Sequence, residues 1–297
     1  MIMTDSVVKT EALIESSAMA DWSTVIRPKT GLLDFNFKEL FHYKFLMFLF
    51  VRRDFVAQFK QTILGPLWFM IQPIFTTGIY SIIFGNLAKI PTDGVPQPVF
   101  YMAGTTLWNY FASCLVGTST VFSGNANIFA KVYFPRMIMP ITTIMTKAYT
   151  FFVQLAVFLV LYFVYLTHGA AIRPNIFLLL LPVTVVHTAL LGMAVGLWSS
   201  ALTVKYRDLN QLVAFGVSLW MWATPIVYPM SFVPAKYRFL VYLNPMSPIV
   251  EIFRYGFTGA GTVSLYSYVI SLLVTAVVLF LGIILFHRAE QNFIDVV

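Results

Sequence analysis

Charge is what this sequence has least of. Only 10% of its 297 residues are Asp, Glu, Lys or Arg, against roughly a quarter in soluble domains. With 59% hydrophobic residues and 29 Phe, a water-soluble core is excluded and a multi-span membrane protein is implied. A lone cysteine, Cys114, excludes an internal disulfide and any cysteine-based metal site. His42, His168, His187 and His287 are scattered and form no ligand-spaced pair, so no metal is expected. No G-x-x-x-x-G-K-[ST] phosphate loop occurs, which excludes ATP hydrolysis by that route. No Ser/His/Asp set or carboxylate pair stands out, so no residue is read as catalytic. Asp and Glu are missing from every candidate span below, which argues against an ion-driven carrier. The first 34 residues hold no apolar core segment, so no cleavable signal peptide is expected. The net charge of +7 is read as membrane-edge Lys and Arg rather than nucleic-acid affinity.

What is there is all-α and polytopic. Residues 1–34, mixed in charge with little periodicity, read as a flexible cytoplasmic tail. Residues 35–65 read as interfacial amphipathic helices: Phe35–Val51 is too short and too charged to span, and Arg52–Leu64 follows as a second piece. Residues 66–297 hold six candidate spans, near Pro66–Leu87, Val99–Phe122, Ile138–Leu166, Asn175–Val204, Gln211–Tyr228 and Ser264–Phe286. They show no two-residue period, so they are helices rather than barrel strands. An even number puts both termini on one side. That side carries Arg52, Arg53, Lys60, Lys131, Arg136, Lys205, Arg207 and Arg288, against Lys89, Arg173, Lys236, Arg238 and Arg254 opposite. The bias makes both termini cytoplasmic.

Three stretches carry information beyond spanning. Between the second and third spans, residues 125–140 suggest a short docking helix with Asn125 as N-cap and Pro135 as stop. Ile128, Phe129, Val132 and Tyr133 fall on one side, with Asn127 and Lys131 on another. An interfacial turn resting on headgroups is the plainer alternative. Residues 229–263 are apolar but cut by Pro234, Pro245 and Pro248 and by Lys236, Arg238, Glu251 and Arg254. Two short helices, near Ala235–Tyr242 and Pro248–Phe257, would make an external re-entrant hairpin, or a plain external loop. Finally, Trp68, Gln72, Thr76 and Tyr80 share one face of the first span, and Gln211, Phe215, Ser218 and Trp222 one face of the fifth. Rings and uncharged amides or hydroxyls suit a sugar path; ordinary helix packing with polar glue is the alternative.

Taken in order, these residues resemble a known family. Arg53-Asp54, Phe59-Lys60-Gln61-Thr62, Leu64-Gly65, Trp68 and Gln72-Pro73 look like the entry signature of type-2 ABC exporter permeases of polysaccharides. Asn125-Ala126-Asn127 and Lys131-Val132-Tyr133-Phe134-Pro135-Arg136 resemble that family's coupling segment. Val204–Leu209, Pro225–Pro229 and Leu243–Met246 with Glu251 and Arg254 continue the pattern to about residue 260. The likeness is greatest to O-antigen permeases, with capsule and teichoic acid exporters similar. It implies a permease homodimer working with two separate ATP-binding cassette subunits that hold ATP and Mg, this chain having no cofactor of its own. It implies a lipid-linked (undecaprenyl pyrophosphate) polysaccharide as substrate and the inner membrane as location. On that reading Asn125, Asn127, Lys131, Tyr133, Phe134, Pro135 and Arg136 contact the ATPase. Glu251 and Arg254 belong to an external gate. Arg52, Arg53 and Lys60 meet the pyrophosphate or anionic lipid, or are ordinary positive-inside anchors. An exporter of a small amphipathic molecule would share the fold.

Overall fold

Charge-poor, strongly apolar chain in lipid must satisfy its backbone internally, and helices do so throughout. The structure, a computed structural model, describes residues 37–60, 62–129, 131–132, 134–204, 206 and 208–293; among these there is no strand. The expected tail over residues 1–34, and Tyr133, Lys205 and Arg207, lie outside the described residues.

The order is α1 (Phe37–His42), α2 (Lys44–Phe59), α3 (Trp68–Tyr80), α4 (Gln97–Ser119), α5 (Val121–Phe129), α6 (Ile138–Thr167), α7 (Leu181–Thr203), α8 (Leu209–Trp222), α9 (Ala235–Leu243), α10 (Met246–Thr258) and α11 (Leu265–Phe293). The break near the start falls at Tyr43, not between Val51 and Arg52, so α2 joins the later part of the first expected piece to most of the second. A 3-10 turn, Gly65–Leu67, leads into α3, and a π-helical stretch, Ser81–Leu87, extends it. Gly65 enters that turn with φ of 47°, a value few residues other than glycine adopt.

Among the described residues, four helices are long and apolar enough to cross a membrane: Gly65–Leu87, Ile138–Thr167, Ile176–Thr203 and Leu265–Gln291. The two other expected spans differ for separate reasons. α4 has 23 residues, but Thr105, Thr106, Asn109, Tyr110 and Ser113 dilute its apolarity. It is also the most enclosed of the long helices, flanked by α6 and α7 and touched by α3, α8 and α10. A helix surrounded by protein need not match lipid. α8 ends at Trp222 after 14 residues, or about 21 Å of rise, because Pro225 cannot continue it. Residues 223–228, assigned to this span from sequence, are not helical.

Close packing comes from small residues. A Cβ on Gly192 would lie 2.8 Å from the Cys114 Cβ, and one on Gly196 2.6 Å from the Thr118 Cβ, so α4 and α7 meet almost backbone to backbone. Gly282 brings α11 equally near the Ala194 carbonyl of α7. A second core gathers Phe50, Phe122, Phe134 and Phe286 at the α5 end of the bundle.

Candidate functional site

The two polar-aromatic faces found in the sequence are open ones. Trp68 and Gln72 are exposed on α3, with Thr76 and Tyr80 half-buried; Gln211, Phe215, Ser218 and Trp222 are all exposed on α8. The rings are substantial, with Trp68 56%, Phe215 62% and Trp222 51% accessible. Gly78 and Gly216 have nothing within 4 Å of where a Cβ would stand, so both faces have free space beside them. Ser218 spends its hydroxyl proton on the Ala214 carbonyl at 3.0 Å, leaving its lone pairs outward. The faces meet at one end: Phe84 lies 6.0 Å from Trp222, and the Tyr80 hydroxyl approaches the Met221 sulfur at 4.0 Å. Tyr80 also meets Tyr101 of α4 edge-on at 6.2 Å. Rings and uncharged polar groups make up both faces and no charge interrupts either.

At that meeting point the chain turns into residues 223–258. Arg254, 4% exposed, donates from Nη2 to the carbonyls of Pro225 (2.9 Å) and Ile226 (3.3 Å). The proline break frees these carbonyls, and the guanidinium satisfies them. Its Cζ lies 3.7 Å from the Phe100 ring centre. Glu251, one helical turn earlier and also buried, accepts from Thr262 Oγ1 at 3.3 Å, and Asp93 accepts from Ser231 Oγ at 2.6 Å. Thr92, Asp93, Phe100, Pro229, Glu251 and Arg254 line one small cleft. The expected two-helix segment is present as α9 and α10, with α10 sunk in protein: the Tyr162 hydroxyl donates to its Phe257 carbonyl at 2.8 Å.

Sequence reasoning missed the pin between α8 and α10, which is Asn244. Its Oδ1 accepts from Trp220 Nε1 (2.9 Å) and from the Met246 backbone N–H (3.0 Å), while its Nδ2 donates to Thr224 Oγ1 (2.8 Å). An Asn directly before Pro245 was the available signal: its side chain can serve as a local cap where proline interrupts the backbone. Asp93 and Phe100 carried no such signal.

At the opposite end, the segment after α4 is arranged differently from the expectation. Helix α5 starts at Val121 and ends at Phe129, with a kink at Asn125 (φ −120°, ψ 15°). Asn125 is therefore no N-cap for a helix reaching Pro135; its Nδ2 donates back to the Val121 carbonyl at 3.0 Å. The next helix waits until Ile138. Phe134, 4% exposed, packs between Phe50 of α2 (5.5 Å) and Phe129 (5.7 Å). Arg136 is turned inward: Nη1 donates to the Glu290 carbonyl at 2.7 Å, and Nε stands 3.9 Å from the Glu290 carboxylate. Burial lowers its pKa from the usual arginine range, with Glu290 opposing. Asn127, Lys131 and Val132 face outward, and Pro135 is half-buried. The basic trio Arg52, Arg53 and Lys60 are all exposed; Arg53 is in addition paired with Asp54 at 2.7 Å and lies 4.8 Å from the Phe50 ring centre.

Comparison with known proteins adds one family. Residues 46–258 match the sequence model of the ABC-2 type transporter. The chain is 26% identical over 253 residues to the O-antigen export system permease protein RfbA of Klebsiella pneumoniae, covering 84% of this chain and 94% of that one. It is 26% identical over 220 residues to RfbA of Myxococcus xanthus, covering 73% and 82%. The polysialic acid transport protein KpsM of Escherichia coli is 24% identical over 244 residues, covering 80% and 91%.

Proposed function

Because the chain belongs to the ABC-2 type transporter family, we propose that it is the membrane subunit of an exporter that moves a lipid-linked polysaccharide outward. The observation that carries this reading is the pair of open, uncharged, ring-bearing faces on α3 and α8, which meet at Tyr80, Phe84, Met221 and Trp222. A polymer that slides needs recurrent, individually weak contacts. Ring stacking with an exchangeable hydrogen bond supplies about 1 kcal/mol per contact; a charged lining would hold anionic sugars in place. Relatives named for O-antigen export and polysialic acid transport support the substrate class.

In the single chain both faces are exposed. Two copies related by a twofold axis would bring four such faces round a shared path. Energy would come from two separate subunits that bind ATP and Mg, seated against Asn127, Lys131 and Val132 on the outward side of the α5 segment. The exposed cations Arg52 and Lys60 would meet the pyrophosphate of an undecaprenyl-type carrier, or anionic lipid, at the cytoplasmic level. Glu251 and Arg254, in the cleft at the far end, would belong to the outer gate. The protein would lie in the inner membrane with both termini cytoplasmic.

The test uses the permease with its ATPase in vesicles. Phe at Trp68 or Tyr80 should leave glycan export near normal because the ring remains. Ala at Tyr80 and Trp222 together should lower export severalfold and let lipid-linked glycan accumulate inside. In a variant lacking Cys114, cysteines at 72, 76 and 218 should react with water-soluble thiol reagents. If they stay protected in every nucleotide state, the faces are packing surfaces. Export of a small amphipathic molecule with no glycan movement would favour the alternative that shares this fold.

A further inference from the structure

The π-helical stretch Ser81–Leu87 at the end of α3 is wound more loosely than the helix it extends. Just past it, the Ala88 N–H donates to the Ile83 carbonyl at 2.8 Å, five residues back. The Ile90 N–H donates to the Phe84 carbonyl at 2.9 Å, six residues back. Such geometry is rare, takes up an extra residue, and is frequent at functional sites. At the junction, Ser81 Oγ donates to the Thr77 carbonyl at 2.8 Å, a bond that competes with the helical ladder and bends it. The stretch stops at Lys89, whose φ is 51°. That is a left-handed position usually given to glycine, and a side chain there strains the backbone.

Little packing holds the widened turns. Ile82, Ile83, Asn86 and Leu87 are exposed. Gly85 is buried because the Gln97 carboxamide, at the start of α4, lies where a Cβ on Gly85 would stand. The connection to α4 is tied at its far end, where Asp93 accepts from Ser231 and Thr92 Oγ1 donates to the Val95 carbonyl at 2.6 Å. Residues 88–91 lie between the helix and that tether. Within the stretch, Phe84 meets Tyr80 at 5.5 Å and Trp222 of α8 at 6.0 Å.

We propose that Ser81–Leu87 is a register switch and that Gln97 is the positioning residue holding it in the widened form. In that form Phe84 stands against Trp222 and closes the outer end of the two open faces. When one residue passes from the helix into residues 88–91, the turns narrow to ordinary α geometry. Side chains of the stretch then turn by up to about 100°, the angle of one α-helical residue. Phe84 leaves Trp222, and the outer end opens. The proposal rests on the export reading for what passes through; the change of register belongs to this helix alone.

The test uses the permease–ATPase complex in nanodiscs, with Cys114→Ala as background and a cysteine pair from Phe84→Cys and Trp222→Cys. A short bifunctional thiol reagent reads their proximity without nucleotide and with the ATPase trapped by ATP and vanadate. Cross-linking should be efficient without nucleotide and fall at least fivefold in the trapped complex. Gln97→Ala should lower the nucleotide-free yield severalfold at unchanged melting temperature, and Gln97→Met, which refills the space over Gly85, should restore it. Deletion of the exposed Ile82 lets an α-helix join both flanks in their present orientation. With the native rings in place, that variant should fold but export glycan at least fivefold more slowly. Equal cross-linking in both nucleotide states overturns the switch, and so does wild-type export by the Ile82 deletion. Should the deletion fail to fold, the cysteine pair alone decides. Wild-type cross-linking in Gln97→Ala overturns the role of Gln97. State-dependent cross-linking in a complex that moves no glycan would overturn only the export reading.

Discussion

Arg254 depends on an absence. Its guanidinium closes the Pro225 and Ile226 carbonyls only because Gly104 of α4 leaves room: a Cβ there would stand 3.1 Å from Arg254 Nη2, 3.1 Å from Ile226 Cγ2 and 3.3 Å from Ile226 Cα. Part of that wall is backbone, which cannot swing aside. Gly104→Ala should therefore lower stability by about 1–3 kcal/mol, read as a drop in melting temperature in detergent micelles. Gly78, with open space around it, is the control: Gly78→Ala should cost nothing and by helix propensity should gain up to about 1 kcal/mol. Equal effects at both positions would mean that the Arg254 bonds contribute little. From sequence, Arg254 was legible as an odd charge in an apolar stretch. That Gly104, 150 positions away, was its complement could not be read, because steric clearance between distant segments leaves no local pattern.

The α5 segment shows which part of an element a sequence discloses. Its composition set it apart from the spans on either side, but the burial of its residues was not readable. Helical periodicity grouped Ile128, Phe129, Val132 and Tyr133 on one side, yet the helix stops at Phe129, and periodicity has no meaning past a helix end. Instead Phe134 is buried against Phe50 and Phe129, and Val132 and Lys131 are outside. Two variants separate these roles. Phe134→Ala empties a buried site and should cost about 3 kcal/mol or more in stability, seen as a lower melting temperature. The Asn127→Ala, Lys131→Ala pair removes only exposed groups, so stability should stay within about 0.5 kcal/mol. On the proposed function, the pair should weaken co-purification with the ATPase subunit. Full co-purification with this pair would place the docking surface elsewhere. The fifth span illustrates the opposite error. An apolar run continuing to Tyr228 looked like helix, but Pro225 and the Asn244 pin end it early, and apolarity alone does not distinguish a helix from a buried irregular strand of backbone.

At the scale of the molecule, helix order and membrane class were legible because spans are long and lipid demands apolarity; which helix would be central was not. α4 lies in the middle because glycines at 192 and 196 admit it, a pairing visible only in three dimensions. The last helix, α11, is tied at both ends of its length. Near one end, Arg136 donates to the Glu290 carbonyl, one of the carbonyls that a helix leaves unpaired at its C-terminus. Near the other, Ser271 Oγ donates to the Pro245 carbonyl at 2.5 Å, beside the Asn244 pin. His187 of α7 adds a bond to Thr275 at 2.9 Å. Glu290 and Ser271 are nineteen residues apart on one helix, roughly 28 Å at 1.5 Å per residue. Arg136→Ala should cost about 1.5–3 kcal/mol, since a charged donor leaves a carbonyl half-buried, and Ser271→Ala about 1 kcal/mol. Groups so far apart with no shared partner should add within about 0.5 kcal/mol. A double-mutant cycle on thermal unfolding measures this. Additivity would mean that α11 is anchored at each end independently. A coupling energy well above 0.5 kcal/mol would instead mean that the helix carries strain from the α5 end to the α10 end.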